Sequence, residues 1–84
     1  ATVKVINDYG VKMHLTLSTK SVTISSWGSR SVELSNPSIV VWEALWYVKR
    51  ADGSTDLYQG SGELNLRCGE YRIFTPHHTF VTDY

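Results

Sequence analysis

Three histidines are the residues of this chain most able to bind a metal ion, and their spacing argues against it. His77 and His78 are adjacent, and adjacent residues of a strand point to opposite faces, so the pair cannot chelate one ion without a bend in the backbone. His14 is distant in the sequence and would join them only if the fold brought it close. We therefore interpret His77 and His78 as surface residues that follow Pro76, and we expect no metal site.

Nucleophilic and acid–base chemistry has equally little support. Cys68 is the single cysteine, no motif of a cysteine enzyme surrounds it, and a buried, inert thiol is the simpler interpretation. The serine-rich stretch STKSVTISSWGSRS lacks the glycines of a nucleophile elbow. Asp52 and Asp56 flank a turn, where aspartate is common for backbone reasons. The sequence therefore predicts a non-enzymatic protein.

Size and charge further restrict the class of protein to which the chain can belong. The 84 residues suit one domain, residues 1–84. Eight basic and eight acidic residues cancel, so the broad positive field needed by a nucleic-acid or membrane partner is missing. A lone cysteine forms no intrachain disulfide, which favours a cytoplasmic protein over a small secreted one. A chain from which a signal peptide had been removed remains an alternative.

The elements that must position these residues are short strands. Apolar and polar residues alternate along most of the chain, which places one face of each strand on a core. Glycine, proline and aspartate turns separate the alternating runs, and this spacing is typical of a β-sandwich or barrel. The predicted core-facing pairs and triplets are Val3 and Val5; Met13, Leu15 and Leu17; Val22 and Ile24; Val32 and Leu34; Leu64 and Leu66; Tyr71 and Ile73.

Residues Ser38–Lys49, SIVVWEALWYVK, are the one ambiguous stretch. Their valines, isoleucine and aromatic residues favour a strand, whereas the spacing of Trp42, Leu45 and Trp46 also suits a helical face. We predict a strand, because a single helix would stand alone among β elements.

A family resemblance appears in the second half of the chain. Tyr58 followed by Gly60 in YQG, and Leu66, Gly69, Glu70 and Tyr71 in LRCGEYRIF, resemble the second Greek key of a βγ-crystallin domain. Ser38, Val41 and Trp46 resemble that family's passage from the first key into the second. The resemblance covers Ser38–Phe74 and is poor elsewhere.

The resemblance implies an all-β, two-sheet Greek-key β-sandwich like a single βγ-crystallin domain. It also implies a fold-over hairpin built from Tyr58, Gly60, Gly69 and Tyr71, in which Gly60 takes a positive φ under an aromatic ring and Ser38 ties the hairpin down by hydrogen bonding. The function that it implies is a structural, storage or stress-related one.

Many βγ-crystallins bind calcium, which needs six to eight oxygen ligands. When the chain is aligned on Ser38 and Ile39, the family's acidic pair becomes Glu33 and Leu34, and Pro37 replaces the first hydroxyl. We therefore predict a degenerate calcium site and no cofactor, with Glu33 as the one residue that could retain weak calcium binding.

Two aromatic residues beside turns support a different class of function. Trp27 precedes a glycine and Tyr58 lies next to another turn, so exposed rings could contact a ligand. The alternative to a structural role is thus a binding module with a protein or glycan partner, such as an antimicrobial or killer-toxin-like protein, a protease inhibitor or a lectin. Against this, Trp27 could simply pack over one end of the sandwich.

Overall fold

The computed structural model describes residues 1–35 and 38–83, which form β-strands and no helix. The described residues therefore contain no helical segment able to cross a membrane. The strands are β1 (Thr2–Ile6), β2 (Met13–Leu17), β3 (Lys20–Ile24), β4 (Ser29–Glu33), β5 (Ile39–Lys49), β6 (Thr55–Asn65), β7 (Tyr71–Phe74) and β8 (Thr79–Asp83).

The strands form two sheets. Sheet A has the order β4-β1-β7, and sheet B has the order β3-β2-β5-β6-β8. In sheet A, β1 pairs antiparallel with β4 and parallel with β7, where Thr2 lies opposite Tyr71. Every pairing in sheet B is antiparallel. The predicted all-β, two-sheet architecture is confirmed at this level.

One core lies between the sheets, and alternation along the strands predicts most of it. Each strand directs every second side chain inward, which removes apolar surface from water at about 25 cal/mol per Å². The largest fully buried side chain is Trp46, whose neighbours in the core include Met13, Leu15 and Leu17 of β2. The remaining buried apolar residues are Val3, Val5, Ile24, Val32, Leu34, Val40, Ala44, Leu64 and Leu66.

The ambiguous stretch is a strand, as predicted. β5 pairs along its whole length with β6, from Ile39 opposite Asn65 to Lys49 opposite Thr55. Its even-numbered residues face the core and its odd-numbered residues face outward, so Trp42 and Trp46 share a strand face two positions apart on either side of Ala44.

The prediction for β7 assigns the wrong face of the strand to the core. Tyr71 and Ile73 are exposed, whereas Arg72 and Phe74 are partly buried. Both faces of this strand carry an aromatic or branched residue, so alternation alone cannot choose between them. The contact that decides is between Phe74 and Trp42, whose ring centroids lie 5.2 Å apart.

Candidate aromatic binding surface

A cluster of aromatic rings connects the loop after β1 with strands β6 and β8, and we call it the aromatic surface. The Tyr58 ring centroid lies 5.8 Å from that of Tyr9 and 5.7 Å from that of Phe80. His78 lies among them, 4.7 Å from Tyr9 and 4.9 Å from Tyr58. We also assign Trp27 to this surface, because its backbone amide donates to the Tyr9 carbonyl at 3.1 Å and its indole lies beside Gly10.

Trp27 is the most prominent member of the aromatic surface. Its side chain is 72% exposed, and its indole lies close to Gly10, where an added Cβ would come within 3.7 Å of the ring. Its backbone has φ 58°, a left-handed conformation that costs a bulky L-residue free energy. A large apolar ring is therefore held in water on a strained backbone, a combination that is found at functional sites.

Asn7 fixes the loops that carry Tyr9 and Trp27. It is 1% exposed, and its Oδ1 accepts hydrogen bonds from Trp46 Nε1 at 3.1 Å and from the Tyr9 amide at 3.3 Å. Its Nδ2 donates to three carbonyl oxygens, those of Val11, Ile24 and Ser25. One buried side chain thus joins the loop after β1, the end of β3 and the middle of β5.

The floor of the aromatic surface is Trp46, which lies wholly within the core. The His78 ring packs on it with a centroid distance of 4.7 Å and an interplanar angle of 62°. The expectation that both histidines lie at the surface is therefore wrong for His78, which is partly buried, while His77 is exposed. The rings around His78 come from three separate segments, which the linear sequence does not reveal.

Burial and a second phenol alter the acidity of Tyr9. Desolvation is the main cause that raises the pKa of the Tyr9 hydroxyl above its ordinary value of 10.0, and the hydrogen bond and charge interaction with Tyr58 raise it further. Both effects favour the neutral phenol. The aromatic surface therefore stays uncharged at Tyr9 throughout the physiological pH range.

A polar depression adjoins the aromatic surface at His78. It has a volume of about 260 Å³ and is lined by residues 59–61 of β6 and by His77, His78 and Thr79. Gln59, Ser61 and Thr79 carry amide and hydroxyl groups, and the Gln59 amide already donates to Glu43 Oε2 at 3.2 Å. Its volume lies below the about 300–1,000 Å³ of pockets for drug-sized ligands, so it suits a single small ring.

The structure corrects the expected hinge at Gly60. This glycine lies in the β5–β6 ladder opposite Ala44, and its φ is not positive. Glycine is needed there for space: an added Cβ would lie 2.0 Å from the His77 carbonyl oxygen and 3.1 Å from the Trp42 ring. The backbone of the β7–β8 connection therefore passes directly over Gly60.

The other residues assigned to the fold-over hairpin lie in separate places. Gly69 has φ 76° in the turn between β6 and β7, so a positive φ does occur nine residues beyond Gly60. Tyr71 is exposed on β7. Ser38 contributes through its backbone, because its carbonyl accepts a hydrogen bond from the Leu66 amide at 2.8 Å. These residues do not assemble a hinge around Tyr58.

The residues predicted at the degenerate calcium site divide between the surface and the core. Glu33 is exposed at the end of β4, and its carbonyl oxygen accepts a hydrogen bond from Lys20 Nζ. The Leu34 side chain is buried in the core, and Pro37 lies outside the described residues. Within residues 1–35 and 38–83, no group of three or more His, Cys, Asp or Glu side chains converges to hold a metal ion.

Cys68 differs from its expected environment. It is exposed rather than buried, and it lies in the β6–β7 turn, where the Glu70 carboxylate accepts a hydrogen bond from the Arg67 amide at 3.0 Å.

Asp52 and Asp56 do support turn geometry. Asp52 Oδ1 accepts from the Ser54 amide and hydroxyl, which lowers the pKa of the Asp52 carboxyl, and Asp56 pairs with Arg50 at 2.5 Å.

The fold defines the class as a two-sheet, all-β domain, and the aromatic surface includes two exposed rings, Trp27 and Phe80. Comparison of the chain with protein-family models, with curated protein sequences and with solved structures finds no match in any of the three. The functional argument therefore depends on the geometry of this chain alone.

Of the two residues predicted to contact a ligand, Trp27 and Tyr58, both belong to the aromatic surface. Tyr9 links them, because its carbonyl accepts a hydrogen bond from the Trp27 amide and its ring contacts the Tyr58 ring. Sequence reasoning missed Tyr9, His78 and Phe80. No local pattern identifies them, because their proximity depends on β6 lying between the loop after β1 and strand β8.

Proposed function

We propose that the protein is a non-enzymatic binding module that holds a neutral glycan against the aromatic surface. The observation that carries this proposal is Trp27, an indole 72% exposed and held on a strained backbone. Aromatic faces present a flat apolar surface with a polar edge, which complements the C–H face of a sugar ring.

The surroundings of Trp27 favour a neutral ligand over a charged one. The chain has no net charge, and Tyr9, whose ordinary pKa of 10.0 is raised further by burial, is a neutral phenol. The polar depression beside His78 has a lining that includes the polar residues Ser61 and Thr79. A sugar needs both kinds of contact, stacking for its C–H face and hydrogen bonds for its hydroxyls.

The structural or storage role that the βγ-crystallin resemblance implies remains a prediction, and so do the Greek-key connectivity and the degenerate calcium site. Gly60 does not support that resemblance, since it serves close packing in an extended strand. We therefore favour the binding module, which depends on side chains that the molecule presents to solvent.

The test is a glycan array followed by calorimetric titration of the best glycan. We expect Trp27→Ala to weaken binding tenfold or more, equivalent to about 1.4 kcal/mol. The matched control is Tyr71→Ala, which removes a 59% exposed aromatic ring from β7 and should leave binding unchanged. Absence of glycan binding by the native chain, or equal binding by the Trp27→Ala variant, would overturn the proposal.

A further inference from the structure

Arg30 occupies a position in sheet A where the strand pattern places a core residue. It lies opposite Val5 of β1, two positions along from the pair formed by Val3 and Val32, and all three valines are buried. Because directly opposite residues of paired strands share a face, the Arg30 side chain leaves β4 on the core-facing side of sheet A. The residue is nevertheless exposed, since β4 is an edge strand of that sheet.

The guanidinium of Arg30 reaches the edge of sheet B. Its Nη1 donates to the carbonyl oxygen of Thr23 in β3 at 3.5 Å, and β3 is the first strand in the order of sheet B. A guanidinium has five N–H donors, so this bond leaves donors for another acceptor. Within residues 1–35 and 38–83, no carboxylate forms an ion pair with Arg30. The charge is therefore available to an anionic ligand.

Three hydroxyl groups and an imidazole lie beside this guanidinium. Thr23 lies opposite His14 in the β2–β3 ladder, and Ser21 of β3 has its partner two positions along β2. That partner is Thr16, whose hydroxyl oxygen is 3.5 Å from the hydroxyl oxygen of Ser21. The His14 ring makes an edge contact with the ring of Tyr47, with centroids 5.7 Å apart. These polar side chains thus share the outward face of β2 and β3.

A single cavity brings these groups together. It has a volume of about 420 Å³, and the polar residues of its lining are His14, Thr16, Ser21, Thr23 and Arg30. No aspartate or glutamate is among the described residues that line it. The cavity therefore combines one permanent positive charge with several neutral hydrogen-bond donors.

Nearby acidic residues do not oppose this charge. Glu43 lies opposite Thr16 in the β2–β5 ladder, but its Oε2 accepts a hydrogen bond from Gln59 Nε2 at 3.2 Å. Gln59 belongs to β6, on the far side of β5 from β2. A larger cavity at the β6–β7 turn, which Arg67 lines, differs because Glu70 lines it as well. The cavity beside β2 and β3 is thus the better candidate for an anion.

We propose that this cavity, which we call the oxyanion site, binds the tetrahedral oxyanion of a phosphate monoester or a sulfate ester. The Arg30 guanidinium supplies the charge, in a fork geometry that matches such oxygens. The hydroxyls of Thr16, Ser21 and Thr23 donate to the remaining oxygens, and the His14 imidazole offers one further N–H. A volume of about 420 Å³ has room for an ester rather than the inorganic ion alone.

The oxyanion site is independent of glycan binding, because none of its residues belongs to the aromatic surface. The first test titrates the native chain with sodium sulfate, sodium phosphate and sodium acetate at constant ionic strength, which keeps general screening unchanged. We expect the NMR signals of the Thr16, Ser21 and Thr23 amides to shift with a dissociation constant of about 1–10 mM for sulfate and phosphate. Acetate should bind more weakly, since two coplanar oxygens cannot engage the guanidinium and all three hydroxyls.

Two results of this titration overturn the proposal. If neither sulfate nor phosphate shifts these signals, Arg30 has no ligand and only protects the edge of the sheet from pairing with another chain. If acetate binds as tightly as sulfate, the site does not select a tetrahedral oxyanion.

Matched variants test which residues hold the anion. Arg30→Gln should weaken sulfate binding about tenfold or more, and Thr16→Val about threefold, since the first removes the cation and the second a single hydroxyl. The control is Arg67→Gln, which removes the same charge from an exposed position in the β6–β7 turn and should leave the sulfate affinity unchanged. Circular dichroism checks that the variants fold. Unchanged affinity in Arg30→Gln, or an equal loss in Arg67→Gln, overturns the assignment.

Phenyl phosphate and phenyl sulfate distinguish the two esters. They carry the same ring, so a difference between their dissociation constants reports on the oxyanion alone. Each should bind at least as tightly as the corresponding inorganic ion, and the tighter of the two identifies the class of ligand. Esters that bind tenfold more weakly than the inorganic ions would show that the cavity does not accept the rest of the molecule, which overturns the ester assignment.

Discussion

At the residue scale, glycines in this chain meet two different demands. Gly53 and Gly69 have left-handed backbones with nothing near the position of an added Cβ. Gly60 has an ordinary strand conformation, but the His77 carbonyl and the Trp42 ring occupy the space that a side chain would need. The first demand is conformational and the second is steric. Replacing glycine by alanine should therefore lower the free energy of unfolding by different amounts at the two kinds of position.

We expect Gly60→Ala to destabilise the protein by about 3 kcal/mol, because overpacking against backbone has no inexpensive relief. The control, Gly53→Ala, introduces only the strain of an L-residue at φ 92° and should cost about 1 kcal/mol. Urea denaturation of the two variants measures both free energies of unfolding. Equal losses would contradict the packing role assigned to Gly60.

The raised pKa of Tyr9 predicts a pH dependence. Because the folded-state pKa of this hydroxyl lies above 10.0, the folded protein binds the phenolic proton more tightly than the unfolded chain does. The corresponding stability is fully present below the unfolded value and is lost as pH rises through the folded pKa. Denaturation curves from neutral to strongly alkaline pH should show this loss.

The matched comparison for this effect is Tyr9→Phe, which keeps the aromatic ring and removes the titratable hydroxyl group. Its free energy of unfolding should fall less steeply with alkaline pH than that of the native chain. If both proteins lose stability with the same slope, the titration of Tyr9 does not contribute.

At the element scale, Asn7 connects strands of both sheets. Its amide group bonds to Trp46 of β5 and to carbonyls at the end of β3, and it lies directly after β1. Such a buried network stabilises the fold only while every group in it has a partner. Removing the amide takes away the acceptor of the Trp46 and Tyr9 N–H groups and one donor to the carbonyls of Val11, Ile24 and Ser25.

We therefore expect Asn7→Ala to cost about 3 kcal/mol or more in the free energy of unfolding, since each unsatisfied buried group costs about 1–3 kcal/mol. Asn65→Ala is the matched control, because Asn65 is exposed and its replacement should change stability by no more than about 0.5 kcal/mol. Chemical denaturation compares the two. A loss at Asn7 no larger than that at Asn65 would show that its hydrogen bonds add nothing.

The strands also show how much of the core can be predicted from the sequence. Alternation identified Val3 and Val5, and Leu64 and Leu66, because a polar residue separates the members of each pair. It failed for β7, where Tyr71 and Phe74 compete for the core and only the contact of Phe74 with Trp42 decides. Local patterns determine which faces are apolar, and tertiary packing decides between faces of equal polarity.

At the scale of the whole molecule, the long β5–β6 pair determines the shape. Eleven residues of extended strand span about 36 Å, and the molecule measures 47 × 20 × 17 Å. Sheet A, with three strands, is narrower than sheet B, with five.

The candidate site was harder to predict than the fold. The exposed position of Trp27 followed from its place before a turn, but its neighbours Tyr9, His78 and Phe80 come from segments far apart in the chain. The same limit applies to the pairing of Thr2 with Tyr71, because short-range periodicity contains no information about which distant strand will lie alongside.

The parallel pairing of β1 with β7 has a consequence for biosynthesis. Sheet A cannot close around β1 until the ribosome has released the segment that contains Tyr71–Phe74. At translation rates of about 5–20 residues per second, β1 waits roughly 3–14 seconds for this neighbour. During that interval Val3 and Val5 lack part of their final environment, so the apolar face of β1 is incompletely covered while the rest of the chain is made.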